Sequence, residues 1–175
     1  MQAKALIHQN MAIEIERRFL VKGKEWKAIA GEAQHLRQGY LITSIKDWTL
    51  RVRILRQEKA WLTLKSPTGK ISQNEFEYLI PLNDAESLWE LAPYKLTKSR
   101  YQLNLQGGDW IVDCFEGKNS PLVIAEVELS TENEHIIQPT WCHKEVTGVK
   151  QLSNAALAQK PISDWSTQSL LSIHL

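Results

Sequence analysis

Alternation of apolar and charged residues with a period of two is the sequence feature that most restricts how this chain folds. The segments that show it are residues 13–16, 50–54, 62–65, 75–78 and 126–129. Because successive side chains of a β-strand point to opposite faces, each segment is predicted to be a strand with one apolar and one charged face. Further strand candidates are residues 38–42, 99–105 and 110–115. The chain is therefore predicted to consist mainly of about eight strands.

Turn and helix signals place the remaining segments at the periphery of that sheet. Residues 106–109 (QGGD) and 67–70 (PTGK) predict turns between neighbouring strands. A helix is predicted over residues 84–91 with Asn83 as its N-cap, and shorter helices over residues 131–137, 153–159 and 164–171. We expect the α+β class, with an antiparallel sheet that closes into a β-barrel and a few peripheral helices.

Length and composition exclude several classes of protein. At 175 residues, with 43% hydrophobic and 23% charged residues, the chain is predicted to form one globular domain. A formal net charge of +1 argues against a nucleic-acid partner, and no apolar stretch is long enough to suggest a membrane span. Two cysteines without a CxxC pair and an N-terminus without a signal sequence predict a cytoplasmic protein. The oligomeric state stays open.

The charged faces of the predicted strands carry like-signed side chains rather than the mixed signs of an ordinary surface. The acidic positions are Glu14, Glu16, Glu75, Glu77, Asp113, Glu126 and Glu128. The basic positions are Arg18, Arg51, Arg53, Lys65, Lys98 and Arg100. A solvated sheet face is the simplest alternative, but like charges side by side repel one another. If helices cover the apolar faces on the outside, closure of the sheet leaves the charged faces inside a tunnel.

Such an interior predicts a ligand that interacts with both signs of charge. Carboxylate oxygens suit hard divalent cations such as Mg²⁺ or Mn²⁺, while clustered arginine and lysine suit phosphate groups. Burial of many ions costs free energy, so stability alone is a weak reason for this lining. The residues therefore indicate a site for a small-molecule complex of metal and polyphosphate.

Several motifs, in their order along the chain, resemble those of the CYTH superfamily, the triphosphate tunnel metalloenzymes. They are EIERRFLV (14–21), QGYL (38–41), RVR (51–53), LTLK (62–65), EFEY (75–78), KSRY (98–101), VDCFEG (112–117), AEVEL (125–129) and WCHKEVT (141–147). The resemblance covers about residues 11–160 and implies a closed antiparallel β-tunnel. It also implies hydrolysis or cyclisation of a triphosphate-bearing substrate with Mg²⁺ or Mn²⁺, and the short bacterial inorganic triphosphatases are the most similar members.

Three departures from the family pattern affect this interpretation. The third position of the ExExK signature is Arg18, and arginine stays protonated in proteins, so it is expected to bind phosphate rather than to act as a base. Residues 149–152 (VKQL) replace the Asp and Arg-Tyr that the family usually has. We expect residues 1–10 to be an N-terminal extension, either an overlong start or a disordered tail, before a single domain over residues 11–175.

The resemblance carries roles to individual positions. Catalysis is assigned to Glu14, Glu16, Arg18 and Lys65. The phosphate chain is assigned to Arg18, Arg51, Arg53, Lys65, Lys98 and Arg100. Divalent metal is assigned to Glu14, Glu16, Glu75, Glu77, Asp113, Glu126 and Glu128. A structural ion pair is the alternative for members of these sets, because buried charges are generally paired.

Three functions are compatible with this pattern. The first is metal-dependent hydrolysis of inorganic triphosphate to pyrophosphate and phosphate. The second is an adenylate cyclase or an organic triphosphatase that acts on a thiamine or nucleoside triphosphate. The third is a polyphosphate-binding module without catalysis, which the arginine at position 18 keeps open. We predict the first, because no sequence feature marks a pocket for a nucleobase.

Overall fold

Eight antiparallel strands form a closed barrel in the computed structural model, which describes residues 12–45, 48–69 and 72–173. The strands are β1 (Ala12–Val21), β2 (Gln34–Ile45), β3 (Trp48–Leu55), β4 (Lys59–Pro67), β5 (Ser72–Ile80), β6 (Tyr94–Gln102), β7 (Asp109–Phe115) and β8 (Val123–Glu128). Their order around the barrel is β5-β4-β3-β2-β6-β7-β8-β1, and pairing of β1 with β5 closes the ring. The predicted fold class and the predicted closure are confirmed.

A further strand and a few helices lie against this barrel. Strand β9 (Cys142–Glu145) pairs with the second half of β1. Helix α1 (Leu82–Leu91) packs across β2, β3 and β4, and α2 (Asn154–Gln159) contacts β6 and β2. Helix α3 (Thr167–Ile173) is the last element that the structure describes. No helix among the described residues is long and apolar enough to span a membrane.

The apolar faces of the strands point outward and are covered by the segments that lie on the barrel. Val52 and Ile54 of β3 are almost fully buried and pack with Ala85 of α1. On another side, Phe19 of β1 packs with Trp110 of β7, with ring centroids 5.8 Å apart. The charged residues between these positions consequently point into the barrel, because neighbouring residues of a strand face opposite sides.

An apolar plug closes one end of the barrel. The inward positions at that end include Leu20, Tyr40, Leu96 and Ile124. Leu152, Leu157 and Ile162 complete the same buried cluster; Leu152 belongs to the 3₁₀ turn Lys150–Leu152, Leu157 to α2 and Ile162 to the 3₁₀ turn Ile162–Asp164. The tunnel is therefore open to solvent mainly at its opposite end.

Two helix predictions were wrong in whole or in part. Helix α1 begins at Leu82, because Pro81 takes the N-cap position, and no side-chain hydrogen bond caps the helix. Asn83 thus lies inside the first turn. Residues 131–137 form no helix; the segment crosses the barrel surface in an irregular path that buries Ile136. Burial of one apolar side chain outweighed the weak local preference for a helix in that short segment.

Other predicted boundaries differ by a few residues. Strand β6 ends at Gln102 rather than at residue 105, because Leu103 leaves the sheet to form an isolated bridge with Ala30. The last helix begins at Thr167 instead of residue 164, where a 3₁₀ turn precedes it. The predicted extension over residues 1–10 lies outside the described residues.

We expect Gly39→Ala to destabilise the fold, because Gly39 of β2 allows α1 to approach the barrel closely. An added Cβ atom would lie 2.9 Å from the Cβ atom of Ala92 and 3.1 Å from Cγ1 of Val52. The expected loss is about 1–3 kcal/mol in the free energy of unfolding, measured by urea denaturation. Gly31→Ala is the control, because its Cβ atom would meet the Gln102 carbonyl oxygen only at 3.4 Å. An equal loss in both variants would contradict the close-approach explanation.

Candidate active site in the tunnel

A cavity of about 750 Å³ occupies the charged part of the barrel. Its charged residues, which we call the tunnel lining, are Glu14, Glu16, Arg18, Arg51, Arg53, Lys65, Glu75, Glu77, Arg100, Asp109, Glu126 and Glu128. All except Asp109 are among the candidate site residues that the sequence indicated. The structure thus brings these candidates together around one space, from six strands of the barrel.

Carboxylates of β1 and β8 face one another across their shared strand pairing. Glu16 lies directly opposite Glu128, and Arg18 lies directly opposite Glu126. The side chain of Glu128 makes no ion pair or hydrogen bond with the described residues, and that of Glu16 reaches only Arg18 Nε, at 3.9 Å. Like charges directly opposite each other destabilise a sheet. This pair therefore favours a bound cation between or beside the two carboxylates.

The pKa values of Glu16 and Glu128 are both raised, as expected for carboxylates with little nearby positive charge. Burial raises the pKa of Glu16 to about 7, and the negative charge of Glu126 adds to the effect. Burial also raises the pKa of Glu128, with a further contribution from the nearby Glu14. The positive charges around Glu16 are thus too few or too distant to compensate for its loss of water, whereas Glu128 keeps access to solvent.

Arg51 and Arg53 of β3 present their guanidinium groups to the tunnel. Arg51 Nη2 donates to Thr63 Oγ1 at 3.2 Å, while Arg53 donates to Glu77 and stacks on the ring of Trp61. The Nε atoms of both arginines are buried and have no hydrogen-bond partner among the described residues. Buried donors are normally satisfied, so these two N–H groups are suited to an acceptor that enters the tunnel. Phosphate oxygens are such acceptors.

Lys65 of β4 links the two strands that close the barrel. Its Nζ atom lies 2.5 Å from Glu14 Oε2 on β1 and 3.1 Å from Glu75 Oε2 on β5. Gln73 donates a further hydrogen bond to Glu14 at 2.6 Å. Burial raises the pKa of Glu14, but the attraction of Lys65 and these hydrogen bonds outweigh burial and lower it to about 2. Glu14 is therefore ionised and well paired at neutral pH, unlike Glu16.

Lys98 and Asp113 lie behind the tunnel lining, fully buried from solvent. Lys98 Nζ donates to Asp113 Oδ2 at 2.5 Å, and Arg100 donates to both oxygens of the same carboxylate at 2.8 and 2.7 Å. Burial raises the pKa of Asp113, but Arg100 and Lys98 outweigh burial and hold it well below its usual range. Three donors occupy the oxygens of Asp113. The geometry therefore favours a role for Asp113 and Lys98 in orienting Arg100. It does not favour metal ligation by Asp113 or phosphate contact by Lys98.

Uncharged residues also line the cavity, and the sequence analysis did not select them. Gln38, Tyr40, Trp61 and Gln73 lie at inward strand positions, where Tyr40 Oη donates to Gln38 Oε1 at 3.1 Å. The same period of two that revealed the charges could have identified these four. Asn154 also reaches the cavity, but it belongs to α2, and no strand pattern predicts that the chain returns to this point.

The tunnel lining fits divalent cations in its donor atoms and in its charge. It holds seven carboxylates against five arginine or lysine side chains, so a divalent cation would strengthen the binding of a polyphosphate by offsetting the excess negative charge. Carboxylate oxygens are the ligands that Mg²⁺ and Mn²⁺ prefer, and Glu16 and Glu128 are the least compensated of them. Within the described ranges, no three Asp, Glu, His or Cys side chains already converge as a metal site. A cation would thus bind by drawing these carboxylates together.

Comparison with known proteins finds a matching family and similar proteins of known activity. The sequence pattern of the CYTH domain matches residues 12–160. An inorganic triphosphatase of Acetivibrio thermocellus is 38% identical over 157 residues, which make up 89% of this chain and 99% of that protein. An inorganic triphosphatase of Nitrosomonas europaea is also 38% identical, over 83% of this chain and 96% of that protein. A crystal structure of an inorganic triphosphatase superimposes with a TM-score of 0.60 at 36% identity, over 85% of this chain and 96% of that one.

We expect Glu16→Gln to become more stable than the unmodified protein as the pH rises, when both are measured without metal. The folded-state pKa of Glu16, about 7, lies above its ordinary value of 4.5, so ionisation of Glu16 disfavours the folded state. The advantage of the variant should grow between pH 4.5 and 7 and then level off. Because the Glu16 side chain is 29% exposed, solvent screening limits the advantage to about 2 kcal/mol.

Glu14→Gln is the matched control, with the opposite sign. The folded-state pKa of Glu14 is lowered to about 2, so its ionised form stabilises the fold above pH 4.5, and that stabilisation disappears as the pH falls toward 2. At pH 7 this variant should unfold at lower urea concentration than the unmodified protein. Similar urea midpoints for the two variants at every pH would contradict the contrast between a paired and an uncompensated carboxylate.

Proposed function

The chain belongs to the CYTH domain family, and on that basis we propose that it hydrolyses inorganic triphosphate to pyrophosphate and phosphate in the tunnel, with a divalent metal ion. One observation carries the proposal: two arginines that each keep an unpartnered guanidinium N–H and two weakly compensated glutamates line the same cavity. The donors are Nε of Arg51 and Arg53, and the carboxylates are those of Glu16 and Glu128. Arginine suits phosphate and carboxylate suits the metal, so the cavity is complementary to both parts of a metal–triphosphate complex.

The basic side chains of the lining are proposed to hold the phosphate chain. Arg51 and Arg53 supply free Nε–H donors, as described above. Arg18, Lys65 and Arg100 are each bound to a carboxylate in the structure, and triphosphate oxygens would compete with those carboxylates for the same donors. Substrate binding therefore exchanges protein ion pairs for phosphate ion pairs, and this exchange sets the carboxylates free to hold metal.

Glu16 and Glu128 are the carboxylates best suited to hold the metal ion, with Glu14 and Glu126 beside them. Glu75 and Glu77 lie on β5 and pair with Lys65 and the β3 arginines, so they are weaker candidates. We propose Mg²⁺ or Mn²⁺, because all these ligands are hard oxygen donors. When bound, such an ion supplies neutralisation of the charge on the phosphate oxygens during displacement by water.

Arg18 is proposed to stabilise phosphate charge and not to move a proton. Its side chain is almost fully buried, with Nε 3.1 Å from Glu126 Oε1 and Nη2 2.9 Å from the Leu152 carbonyl oxygen. A guanidinium group does not lose its proton near neutral pH. The proton of the attacking water must then pass to a carboxylate of the tunnel lining or to solvent.

The walls of the cavity favour an inorganic substrate over a nucleotide. Its aromatic side chains are Tyr40 and Trp61. Tyr40 is 2% exposed, and Trp61 already stacks with Arg53, so neither offers an open face to a base.

Both cysteines are free thiols, as expected in the reducing cytoplasm, where we propose that the enzyme acts.

Release of orthophosphate from tripolyphosphate is expected to require a divalent metal and to exceed release from ATP. The comparison uses equal concentrations of tripolyphosphate and ATP, each with Mg²⁺, with Mn²⁺ and with EDTA. We expect kcat/KM for tripolyphosphate to exceed that for ATP by at least about a hundredfold, a barrier difference of about 2.7 kcal/mol. Comparable rates on ATP, or cyclic AMP as the main product, would instead establish an organic triphosphatase or a cyclase. Binding without turnover would indicate a non-catalytic module.

Arg18→Lys is expected to keep activity at a reduced level, with no new ionisation in the pH–rate profile. An ammonium group preserves the charge, but it cannot reproduce the fork that contacts Glu126 and the Leu152 carbonyl together. We expect kcat/KM to fall about tenfold, which corresponds to about 1.4 kcal/mol. A tenfold gain in kcat together with a new alkaline limb would show that this position serves as a proton acceptor.

A further inference from the structure

Residues 150–159, which we call the plug segment, contact two buried cations of the barrel. Arg18 Nη2 donates to the carbonyl oxygen of Leu152 at 2.9 Å. Lys98 Nζ lies 3.4 Å from Oδ1 of Asn154. Leu152 and Asn154 are two residues apart, at the junction between the 3₁₀ turn Lys150–Leu152 and helix α2. One short stretch of backbone thus meets charges that belong to β1 and to β6.

These two cations are the ends of one continuous chain of ion pairs. Lys98 binds Asp113, Asp113 binds Arg100, Arg100 binds Glu126, and Glu126 binds Arg18, with N···O distances between 2.5 and 3.1 Å. Both ends of this ion-pair chain therefore contact the plug segment. Three positive and two negative groups leave it one positive charge in excess, and Arg18, Arg100 and Glu126 face the cavity.

The plug segment is fixed well enough to act as a support. Ser153 caps α2, with its Oγ atom accepting from the backbone N–H of Ala156 at 3.2 Å. The side chains of Leu152 and Leu157 are fully buried on either side of it. A side chain or carbonyl held by such packing imposes its position on the flexible Lys or Arg that it binds.

Lys98 is the end of the chain most dependent on that support. Its ammonium group is completely buried, and its partners are Asp113, Asn154 and the ring of Phe115, 5.5 Å away. A buried charge that loses a hydrogen-bond acceptor is strongly disfavoured and turns toward another partner. Movement of Lys98 would shift Asp113, and with it the guanidinium of Arg100 that faces the substrate.

We propose that Leu152 and Asn154 form a positioning element for the tunnel, which holds the ion-pair chain from Lys98 to Arg18 in the geometry that the reaction needs. Asn154 acts through Lys98 and Asp113 on Arg100, and the Leu152 carbonyl acts directly on Arg18. This inference rests on the proposed triphosphatase function. It assigns to the C-terminal segment a role in orienting substrate-binding cations, beyond closure of the barrel.

Substitution of Asn154 tests the proposal. Asn154→Leu keeps the branching at Cγ and removes the acceptor, so kcat/KM for tripolyphosphate should fall about tenfold, as misplacement of a positioning group does. Asn154→Asp keeps an acceptor oxygen and should stay within about threefold of the unmodified enzyme, because charge-assisted bonds are strong. Ser166→Ala is the control: Ser166 Oγ accepts from Ser169 N at 3.2 Å beside helix α3, and its loss should leave kcat/KM unchanged.

A double-mutant cycle shows whether Asn154 acts through Lys98. In a Lys98→Met background, Asn154→Leu should have little further effect on kcat/KM, because the group through which Asn154 acts is gone. Additive losses, or equal losses in Asn154→Leu and Asn154→Asp, would overturn the proposal. If Lys98→Met does not fold, the contrast between the Leu and Asp variants of Asn154 decides the matter by itself.

Binding of tripolyphosphate without metal separates this proposal from the proposed function. Isothermal titration calorimetry in EDTA should give a larger dissociation constant for Asn154→Leu than for Asn154→Asp, because Arg100 is displaced only in the Asn154→Leu variant. If the unmodified protein binds tripolyphosphate but does not hydrolyse it with Mg²⁺ or Mn²⁺, the proposed function fails, and the binding contrast still tests the positioning element. Equal dissociation constants for the two variants would overturn the positioning element.

Discussion

Pairing of opposite charges inside a closed barrel is the interaction on which the rest of the structure depends. The strands turn their apolar faces outward against α1 and the connecting segments, so their charged faces must share a confined interior. Ions removed from water are tolerated only when they are partnered. Lys65 meets this requirement at the closing seam by binding Glu14 on β1 and Glu75 on β5. The same ion pairs that make the interior possible thus also join the first strand to the fifth.

The candidate site consists of the charges that this pairing leaves incomplete. Glu16 and Glu128 face each other without sufficient compensation, and the Nε atoms of Arg51 and Arg53 lack acceptors among the described residues. A metal–triphosphate complex carries the charges that both deficits require. The 38% identity to inorganic triphosphatases agrees with this interpretation. Some charged groups of the interior are therefore already paired with one another, and others are left for a ligand. The paired and the uncompensated groups are different members of one network of charges.

Much of the fold and of the site could be predicted from local patterns, because a period of two fixes the face of every strand residue. That period places Glu14, Arg51 and Glu126 on the charged faces of their strands, and these faces line the cavity. The helix predicted over residues 131–137 was wrong, since a short segment has little intrinsic helix stability and tertiary burial decided its path. Asn83 was misassigned as a cap for a related reason: Pro81, two residues earlier, already fixes the start of α1.

The sequence by itself determined which residues face the interior, the sign of charge that each carries and the class of ligand that such charges suit. Only the tertiary structure decided how those charges divide among themselves. Asp113 and Glu16 look equivalent in the sequence, yet Lys98 and Arg100 surround Asp113, whereas Glu16 faces Glu128. Strand order and register, together with the return of residues 152–154 to the barrel, bring together partners that are far apart along the chain. The strength of an ionic interaction depends on distance and burial, and no local pattern specifies either.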